Sequence, residues 1–223
     1  MEFSEESVSI PFEQKELECV FTVPSDLGAE CTAVVLTHGA GGDMHARQLE
    51  SLAHALAGSG VLCLRFTCRA VNFMYRFRAY LTVVNYLKSH ERFAPNRIFL
   101  GGRSMGARTA VAVCERMQRQ KNAVQGVLCL SFPLHLPGKP LTYVERSRGL
   151  LALSRTSVLF VSGTTDNLCE KRLLEIIRHV MKNPSTVHWV EDANHGLKVR
   201  GRTEESVLEE VNSQITAWVL QHK

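Results

Sequence analysis

A serine lies at the centre of a glycine-bounded turn near the middle of the chain. Residues 102–106 have the sequence Gly-Arg-Ser-Met-Gly, after a short apolar run and directly before a helix-like segment. A Gly-x-Ser-x-Gly sequence between a strand and a helix is typical of a nucleophilic serine, because the sharp turn needs small residues two positions before and after it. The turn would raise the Ser104 hydroxyl above the sheet edge, at a helix N-terminus. We therefore predict that Ser104 is a nucleophile.

The acid that would orient a general base has two candidates. In strand–turn–helix arrangements of this kind the chain order is serine, acid, histidine, and Asp166 and Asp192 are the only aspartates that follow Ser104. Asp166 comes after an apolar, β-branched run, at the carboxyl end of a predicted buried strand. Asp192 lies three residues before His195, a spacing too short to orient that imidazole from behind. We therefore predict Asp166 as the acid.

The candidate base is a histidine in the loop after the last predicted strand. His195 lies in the sequence Ala-Asn-His-Gly, after the strand predicted at 185–191. His135, in a proline-rich turn, is the main competitor, whereas His188 alternates with apolar residues as expected for a sheet face. Chain order favours His195. The chemistry predicted is attack by serine, proton transfer by histidine, and an aspartate that fixes the imidazole tautomer.

A glycine-rich loop can supply the oxyanion hole. The predicted strand 32–37 continues into the sequence His-Gly-Ala-Gly-Gly at 38–42, where a backbone N–H can approach a developing oxyanion without a nearby Cβ. We expect the donors to be the N–H groups of Met105 and of Ala40 or its neighbour Gly39, with His38 as a structural residue. A phosphate-binding loop is disfavoured because no Gly-Lys-Ser or Gly-Lys-Thr follows.

Three arginines are the main candidates for holding an anionic group of a substrate, and Arg76 and Arg78 belong to the same local cluster as Arg65 and Arg69. Arg65 and Arg69 flank a predicted turn at the carboxyl edge of the sheet, and Arg103 precedes the serine. Arginine recognises carboxylates and phosphates through its planar fork. Ion pairing at the surface, or packing of the side-chain stem over apolar surface, is the alternative for each of them.

Strands and helices alternate around these residues. The predicted strands are 5–12, 16–23, 32–37, 61–66, 96–100, 124–132, 157–162 and 185–191, and the predicted helices are 46–57, 70–90, 105–119, 168–181 and one that Thr203 caps. This alternation predicts one α/β domain over 1–223, with a mostly parallel central sheet, helices on both faces and an antiparallel hairpin at one edge. The segment between 132 and 157 is too short for a large lid domain and could hold one short helix at 141–154.

Composition excludes several classes of protein. The chain has 223 residues, 45% hydrophobic and 22% charged, with a net charge of +4 that does not by itself indicate a nucleic-acid partner. Its acidic N-terminus does not resemble a signal peptide, and no apolar run reaches membrane-spanning length. Seven scattered cysteines without Cys-x-x-Cys are typical of reduced core residues in an intracellular protein, and they indicate no zinc site.

Taken together, these motifs resemble the α/β-hydrolase superfamily, on its dienelactone-hydrolase-like side. More narrowly, the sequences at 64–69, 101–106 and 132–140 resemble the family of testis-expressed protein 30 and its relatives. The resemblance covers nearly the whole chain and implies the α/β-hydrolase fold and the site positions named above. That family shares a domain with a non-catalytic scaffold subunit of a histone-acetylating complex, which implies an alternative role as a binding or scaffold protein with a protein partner.

The sequence therefore predicts a serine hydrolase that cleaves a small carboxylic ester, thioester or lactone through an acyl-enzyme on Ser104. Hydrolysis of short peptides is a third possibility, although nothing marks a peptide-binding extension. The chemistry requires neither a metal nor an organic cofactor. The expected location is the cytoplasm, with the nucleus as the second, and no membrane partner is expected.

Overall fold

Eight strands form one sheet in the computed structural model, which describes residues 2–28, 30–119 and 124–223. In chain order they are β1 (Phe3–Phe12), β2 (Lys15–Pro24), β3 (Thr32–Thr37), β4 (Leu62–Phe66), β5 (Arg97–Arg103), β6 (Gly126–Leu130), β7 (Ser157–Gly163) and β8 (Ser185–Val190). Their order across the sheet is β1-β2-β4-β3-β5-β6-β7-β8. Strands β3 to β8 are parallel, and β2 is antiparallel to both β1 and β4. The predicted parallel sheet with an antiparallel hairpin at one edge is confirmed.

Helices cover both faces of this sheet. They are α1 (Arg47–Gly58), α2 (Phe73–Lys88), α3 (Met105–Arg119), α4 (Tyr143–Arg146), α5 (Arg148–Ala152), α6 (Lys171–Val180) and α7 (Glu204–His222). One apolar cluster packs α2, α3 and α6 against the sheet through residues such as Tyr80, Cys114 and Leu174. The second packs α1 and α7 against the opposite face through residues such as Leu52 and Ile215. Burial of both faces explains why the parallel strands are almost continuously apolar.

One edge of the sheet collects the predicted functional residues. Ser104 directly follows β5, Asp166 lies three residues after β7, and His195 lies five residues after β8. The glycine-rich loop begins at His38, directly after β3. Since parallel strands end at the same edge, topology alone brings these four segments together.

The nucleophile strand is longer than predicted. β5 continues through the glycines to Arg103, whereas the sequence predicted its end at residue 100. A Cβ on Gly101 would lie 2.9 Å from the Cβ of Leu128 and 3.0 Å from the Cδ2 of Leu36. Glycine therefore lets the central strands approach here instead of breaking the strand.

Two helices begin three residues later than predicted. The Asn72 side chain accepts the N–H of Tyr75 at 2.9 Å, so this N-cap starts α2 at Phe73. The turn before α6 is held by Asp166, whose carboxylate accepts the N–H of Leu168 at 2.8 Å.

The segment between β6 and β7 contains no domain-sized lid. It holds a 3₁₀ turn at Pro140–Thr142 followed by α4 and α5, where the sequence predicted one short helix. Pro140 starts the first turn, and the buried Ser147 separates the two short helices.

The C-terminal helix matches the prediction closely. Thr203 accepts the N–H of Ser206 at 3.2 Å as the N-cap, and Glu204 and Glu205 occupy the first turn. Acidic residues are favourable at this positive end of the helix dipole. In the described part of the chain, no helix combines the length and apolar character needed to cross a membrane.

All seven cysteines are buried and free of disulfide bonds. Burial raises the pKa of the Cys63 and Cys169 thiols to about 12. These thiols are therefore protonated at neutral pH and act as small core residues.

Candidate active site

Ser104 occupies a strained turn that its neighbours enforce. Its φ of +54° lies in the left-handed region, which non-glycine residues rarely adopt. A Cβ on Gly102 would lie 2.6 Å from the carbonyl carbon of Gly106, and one on Gly106 would lie 2.6 Å from the Thr37 oxygen. The Ser104 N–H donates to the Leu130 carbonyl at 2.8 Å, which fixes the turn to β6. Only glycine fits at both flanking positions, so the motif is a packing requirement of this turn.

Ser104, His195 and Asp166 form a continuous hydrogen-bonded chain. The Nε2 of His195 lies 2.9 Å from the Oγ of Ser104, and its Nδ1 lies 2.8 Å from the Oδ2 of Asp166. Asp166 is 4% exposed, so its carboxylate acts in a water-poor environment. With the imidazole proton on Nδ1 facing the carboxylate, Nε2 is free to accept the serine proton.

The loops that carry the acid and the base are packed directly against each other. The N–H of Thr165 donates to the Ala193 carbonyl at 3.0 Å, and the N–H of Asp166 donates to the Gly163 carbonyl at 3.2 Å. A Cβ on Gly163 would lie 2.1 Å from the Ala193 oxygen. The relative position of Asp166 and His195 therefore depends on the absence of a side chain at residue 163.

The competing residues take structural positions. Asp192 has a positive φ of 57° in an exposed turn, where its N–H donates to the Thr164 hydroxyl at 2.8 Å. His135 is buried, and its Nε2 accepts the N–H of Glu170 at 3.0 Å. His188 lies 2.8 Å from Glu210, in accord with a sheet-face position. In the described ranges, none of these three makes a hydrogen bond to Ser104 or His195.

The glycine-rich loop lies directly against the nucleophile turn. A Cβ on Gly39 would lie 3.4 Å from the Cβ of Ser104, so the loop backbone is in contact with the serine. Met105 is the first residue of α3, and its N–H therefore has no acceptor within the helix. The Gly39 backbone therefore lies beside Ser104, and Met105 follows Ser104 directly in the chain.

His38 is a buried neutral residue that shapes this loop. Its Nε2 accepts the N–H of Cys68 at 2.9 Å, and its Nδ1 lies 2.6 Å from the Gly39 oxygen. The Nη2 of Arg76 also donates to the Gly39 carbonyl, at 3.0 Å. Burial, and then the nearby charge of Arg76, lower the pKa of His38 to about 4. This imidazole is therefore uncharged at neutral pH.

The low pKa of His38 predicts that stability falls as the pH falls. The unfolded chain binds this proton with a pKa near 6.5, and the folded chain binds it only near about 4. Between these values the unfolded state holds more protons, so the free energy of unfolding decreases on acidification, by about 3 kcal/mol at pH 4. Urea unfolding of the native chain and His38→Gln between pH 7 and pH 4 measures this contribution. In His38→Gln the free energy of unfolding is expected to fall less between pH 7 and pH 4 than in the native chain. An equal fall in both proteins would contradict the low pKa of His38.

Arg76, which the sequence placed in a cluster that could hold a substrate anion, is instead a buried residue that binds backbone carbonyls. It is 2% exposed, and besides the Gly39 carbonyl it donates through Nε to the Cys68 carbonyl at 3.1 Å. A signal was present, because Arg76 lies on the same helical stripe as the buried residues Ala79, Tyr80 and Val83. A charged residue within an apolar helix face indicates a specific buried partner.

The interpretation of Arg65 as a substrate contact is wrong. Its side chain is completely buried, where it donates to the Met44 carbonyl at 3.0 Å and to Glu5 at 2.5 Å. Glu5, Glu50 and His54 together could in principle ligate a metal ion. The guanidinium of Arg65 lies against both of those carboxylates, so a fixed cation already occupies the charged centre of this group.

The other two arginines lie at the candidate site in different ways. The Nη2 of Arg103 donates to the His195 carbonyl at 3.2 Å, and its Nη1 lies beside Gly39. Arg103 thus contacts the histidine loop, whereas the sequence suggested a substrate contact. Arg69 has a side chain that is 67% exposed, with Asp43 at 3.4 Å, and it is the one of the three with a guanidinium facing solvent.

Comparison with known proteins relates both the sequence and the fold to hydrolases. A family model described as "Alpha/beta hydrolase domain" matches residues 30–220. A dienelactone hydrolase from Anabaena variabilis has a TM-score of 0.79 at 16% identity, covering 99% of this chain and 98% of that chain. Est1E from Butyrivibrio proteoclasticus has a TM-score of 0.78 at 16% identity, covering 97% of this chain and 98% of that chain. An α/β serine hydrolase without a lid, from Xanthomonas campestris, has a TM-score of 0.71 at 14% identity, with 97% and 94% covered.

Proposed function

Because the chain belongs to the α/β-hydrolase family, we propose that it is a serine hydrolase that cleaves a small carboxylic ester, thioester or lactone. The observation that carries this proposal is the hydrogen-bonded chain from Asp166 through His195 to Ser104, with distances of 2.8 Å and 2.9 Å. Three side chains from distant segments meet here in the order of bonds that nucleophilic catalysis requires.

In the proposed reaction, the Oγ of Ser104 attacks the carbonyl carbon while the Nε2 of His195 takes the hydroxyl proton. The resulting tetrahedral intermediate collapses, the bond to the leaving group breaks, and His195 returns the proton to that group. Water then attacks the acyl-enzyme by the same route, which releases the acid and restores the serine. Asp166 keeps the Nδ1 proton in place and stabilises the imidazolium that forms twice in each cycle.

The oxyanion of each tetrahedral intermediate would be held by backbone donors. We assign these to the N–H of Met105, which follows Ser104 directly, and to that of Ala40 or Gly39, in the loop that contacts Ser104 through Gly39. One such donor is typically worth about 3–4 kcal/mol of transition-state stabilisation. The buried cation of Arg76 supports this part of the proposal, because its bond to the Gly39 carbonyl at 3.0 Å fixes the backbone of the loop that would supply a donor.

The form of the site favours small or protruding substrates. Only the 3₁₀ turn, α4 and α5 lie between β6 and β7, so little protein is available to enclose a long acyl chain. Arg69, exposed at the same sheet edge, is a candidate contact for an anionic substrate group. The bond from Arg103 to the His195 carbonyl supports a positioning role for Arg103.

We propose a relationship to testis-expressed protein 30 and its relatives on the three sequences described above. A cytoplasmic location, with the nucleus as the second, is supported by the seven buried free cysteines, which are typical of proteins in reducing compartments. The alternative function in this family is a scaffold that binds a protein partner and does not use its serine.

A fluorophosphonate probe distinguishes the two functions. The folded native chain is expected to become labelled, with the adduct on the peptide that contains Ser104. Ser104→Ala and heat-unfolded protein serve as the controls, and neither should be labelled. Absence of Ser104-dependent labelling in protein shown to be folded by circular dichroism would reject the hydrolase proposal in favour of the scaffold.

A further inference from the structure

Two half-buried arginines beside the nucleophile helix have no carboxylate partner. In the part of the chain that the structure describes, neither Arg108 of α3 nor Arg146 of α4 has a carboxylate oxygen within 4.0 Å. Arg108 instead lies over the ring of Phe73, with its Cζ 4.9 Å from the ring centroid. The Nη1 of Arg146 donates to the Pro133 carbonyl at 3.2 Å. Among the exposed arginines of the described residues, Arg78 and Arg92 are paired with carboxylates, whereas Arg116 and others are not. Arg108 and Arg146 are distinguished by partial burial together with the lack of a carboxylate partner.

Both side chains are fixed at the edge of the sheet that carries Ser104. Arg108 is in the first turn of α3, where its N–H donates to the Ser104 carbonyl at 3.2 Å. Helical side chains lean toward the helix N-terminus, and Phe73, on which the guanidinium stacks, is the first residue of α2 at the same edge. Pro133 lies three residues after Leu130, the acceptor of the Ser104 N–H. The two guanidinium groups are therefore anchored on Phe73 and Pro133, in segments at the same sheet edge as Ser104.

The charges of this pair are incompletely balanced. Burial, and then the neighbouring charge of Arg146, lower the pKa of Arg108, while the exposed Glu145 opposes this. The Arg108 guanidinium has no hydrogen-bond acceptor within the described residues, although arginine carries five N–H donors. Two adjacent, partly desolvated cations are unfavourable for folding alone. An anion bound between them would supply the missing acceptors.

We propose that Arg108 and Arg146 form a binding site for an anionic group at the far end of the substrate acyl chain, a carboxylate or a phosphate. The inference rests on the proposed function, because it assigns the acyl group that would be attached to Ser104. Guanidinium forks bind such oxygen anions in bidentate geometry. Arg69 is the weaker candidate, because it is largely exposed and already has Asp43 beside it at 3.4 Å.

Two esters of equal chain length test this assignment. One is 4-nitrophenyl hexanoate, which is neutral, and the other is the mono-4-nitrophenyl ester of adipic acid, which ends in a carboxylate. Arg108→Met, Arg146→Met and the double variant are expected to lower kcat/KM for the adipate ester by about ten- to a hundredfold, because charge-assisted hydrogen bonds are lost. The hexanoate ester should change less than about threefold, since the reacting groups are untouched.

One matched variant serves as the control, and a second tests the competing candidate. Arg116→Met removes an exposed charge from the far end of the same helix and is expected to leave the ratio of the two esters unchanged. Arg69→Met removes the competing candidate and is expected to lower kcat/KM for the adipate ester less than the Arg108 and Arg146 variants do. Equal losses on both esters in the Arg108 and Arg146 variants, or a selective loss only in Arg69→Met, would overturn the proposed site.

Calorimetric titration separates this inference from the proposed function. Adipate and inorganic phosphate are titrated into the native chain and into the double variant, which requires no turnover. Binding of either ion that the double variant loses supports the site, and the stronger of the two identifies the preferred anion. If neither ion binds the native chain, the site is rejected even where fluorophosphonate labels Ser104. If an ion binds but no labelling occurs, the hydrolase proposal fails alone.

Discussion

Replacing Asp166 by asparagine is expected to lower kcat by about 10³- to 10⁴-fold. The asparagine oxygen can still accept the Leu168 N–H, which Asp166 now accepts at 2.8 Å, so the turn should survive. The amide group would then face the Nδ1 of His195 and donate to it. That contact moves the imidazole proton to Nε2, opposite Ser104, and the base can no longer accept the serine proton.

The matched control is Asp192→Asn, in the next loop. Asp192 is the other aspartate after Ser104, and its N–H bond to Thr164 at 2.8 Å does not depend on the carboxylate. Steady-state kinetics with a 4-nitrophenyl ester should show a change of less than about threefold for this variant. A larger loss in Asp192→Asn than in Asp166→Asn would reverse the assignment of the acid.

Replacing Gly163 by alanine is expected to lower the free energy of unfolding by about 3 kcal/mol or more. The new Cβ would lie 2.1 Å from the Ala193 oxygen and 2.9 Å from the Asn194 oxygen. Both are backbone atoms, so no side-chain rotation relieves the clash. The loop that carries His195 must move, and the turnover of esters should fall together with stability.

Urea unfolding compares Gly163→Ala with Gly41→Ala. A Cβ on Gly41 would have no atom within 4 Å, and Gly41 does not have a positive φ. The control therefore removes one glycine without a clash and should change the free energy of unfolding by less than about 1 kcal/mol. Equal stability of the two variants would show that the Asp166 turn and the His195 loop are not held in the contact described.

The architecture predicted from the sequence is confirmed. The sequence also placed Ser104, Asp166 and His195 at one edge of the sheet, where hydrogen bonds join them, and their catalytic roles stay predictions. Strands that alternate with helices end at one edge of a parallel sheet, so residues just after β5, β7 and β8 must meet there. Glycines at 102 and 106 predicted the turn because it needs small residues two positions before and after the serine. The structure shows the reason, since a Cβ at either position would clash with Thr37 and the adjacent backbone. These are local signals, and local signals can be recognised in one sequence.

The side-chain partners of the arginines could not be predicted from local sequence. Arg65 is in β4, and whether its guanidinium meets solvent or Glu5 depends on the pairing of β2 with β4 and of β1 with β2. Arg103 likewise precedes the serine, but its partner is the His195 carbonyl, 92 positions away in the chain. A run of residues specifies its strand or turn. The partner of a long polar side chain is specified by the whole sheet order.

The predicted starts of α2 and α6 were each three residues too early, for a related reason. The apolar spacing predicted α2 and α6 correctly as helices, but a side-chain cap at Asn72 sets the start of α2. Before α6, the first residues of the predicted helix instead form a turn in which Asp166 accepts the N–H groups of Leu168 and Cys169, and Asp166 is also the residue that faces His195.

The burial of every cysteine makes the thiols a built-in reporter of global opening. Cys63, Cys114 and Cys129 are 0% exposed, so a thiol-reactive dye should reach their sulfur atoms only when the core itself is disrupted. The rate at which the dye reacts then reports the opening of the core. No cysteine has to be introduced, and ester turnover is not needed as the signal. A variant that destabilises only the loops of the candidate site should leave the rate of dye reaction unchanged, whereas a variant that destabilises the core should increase it.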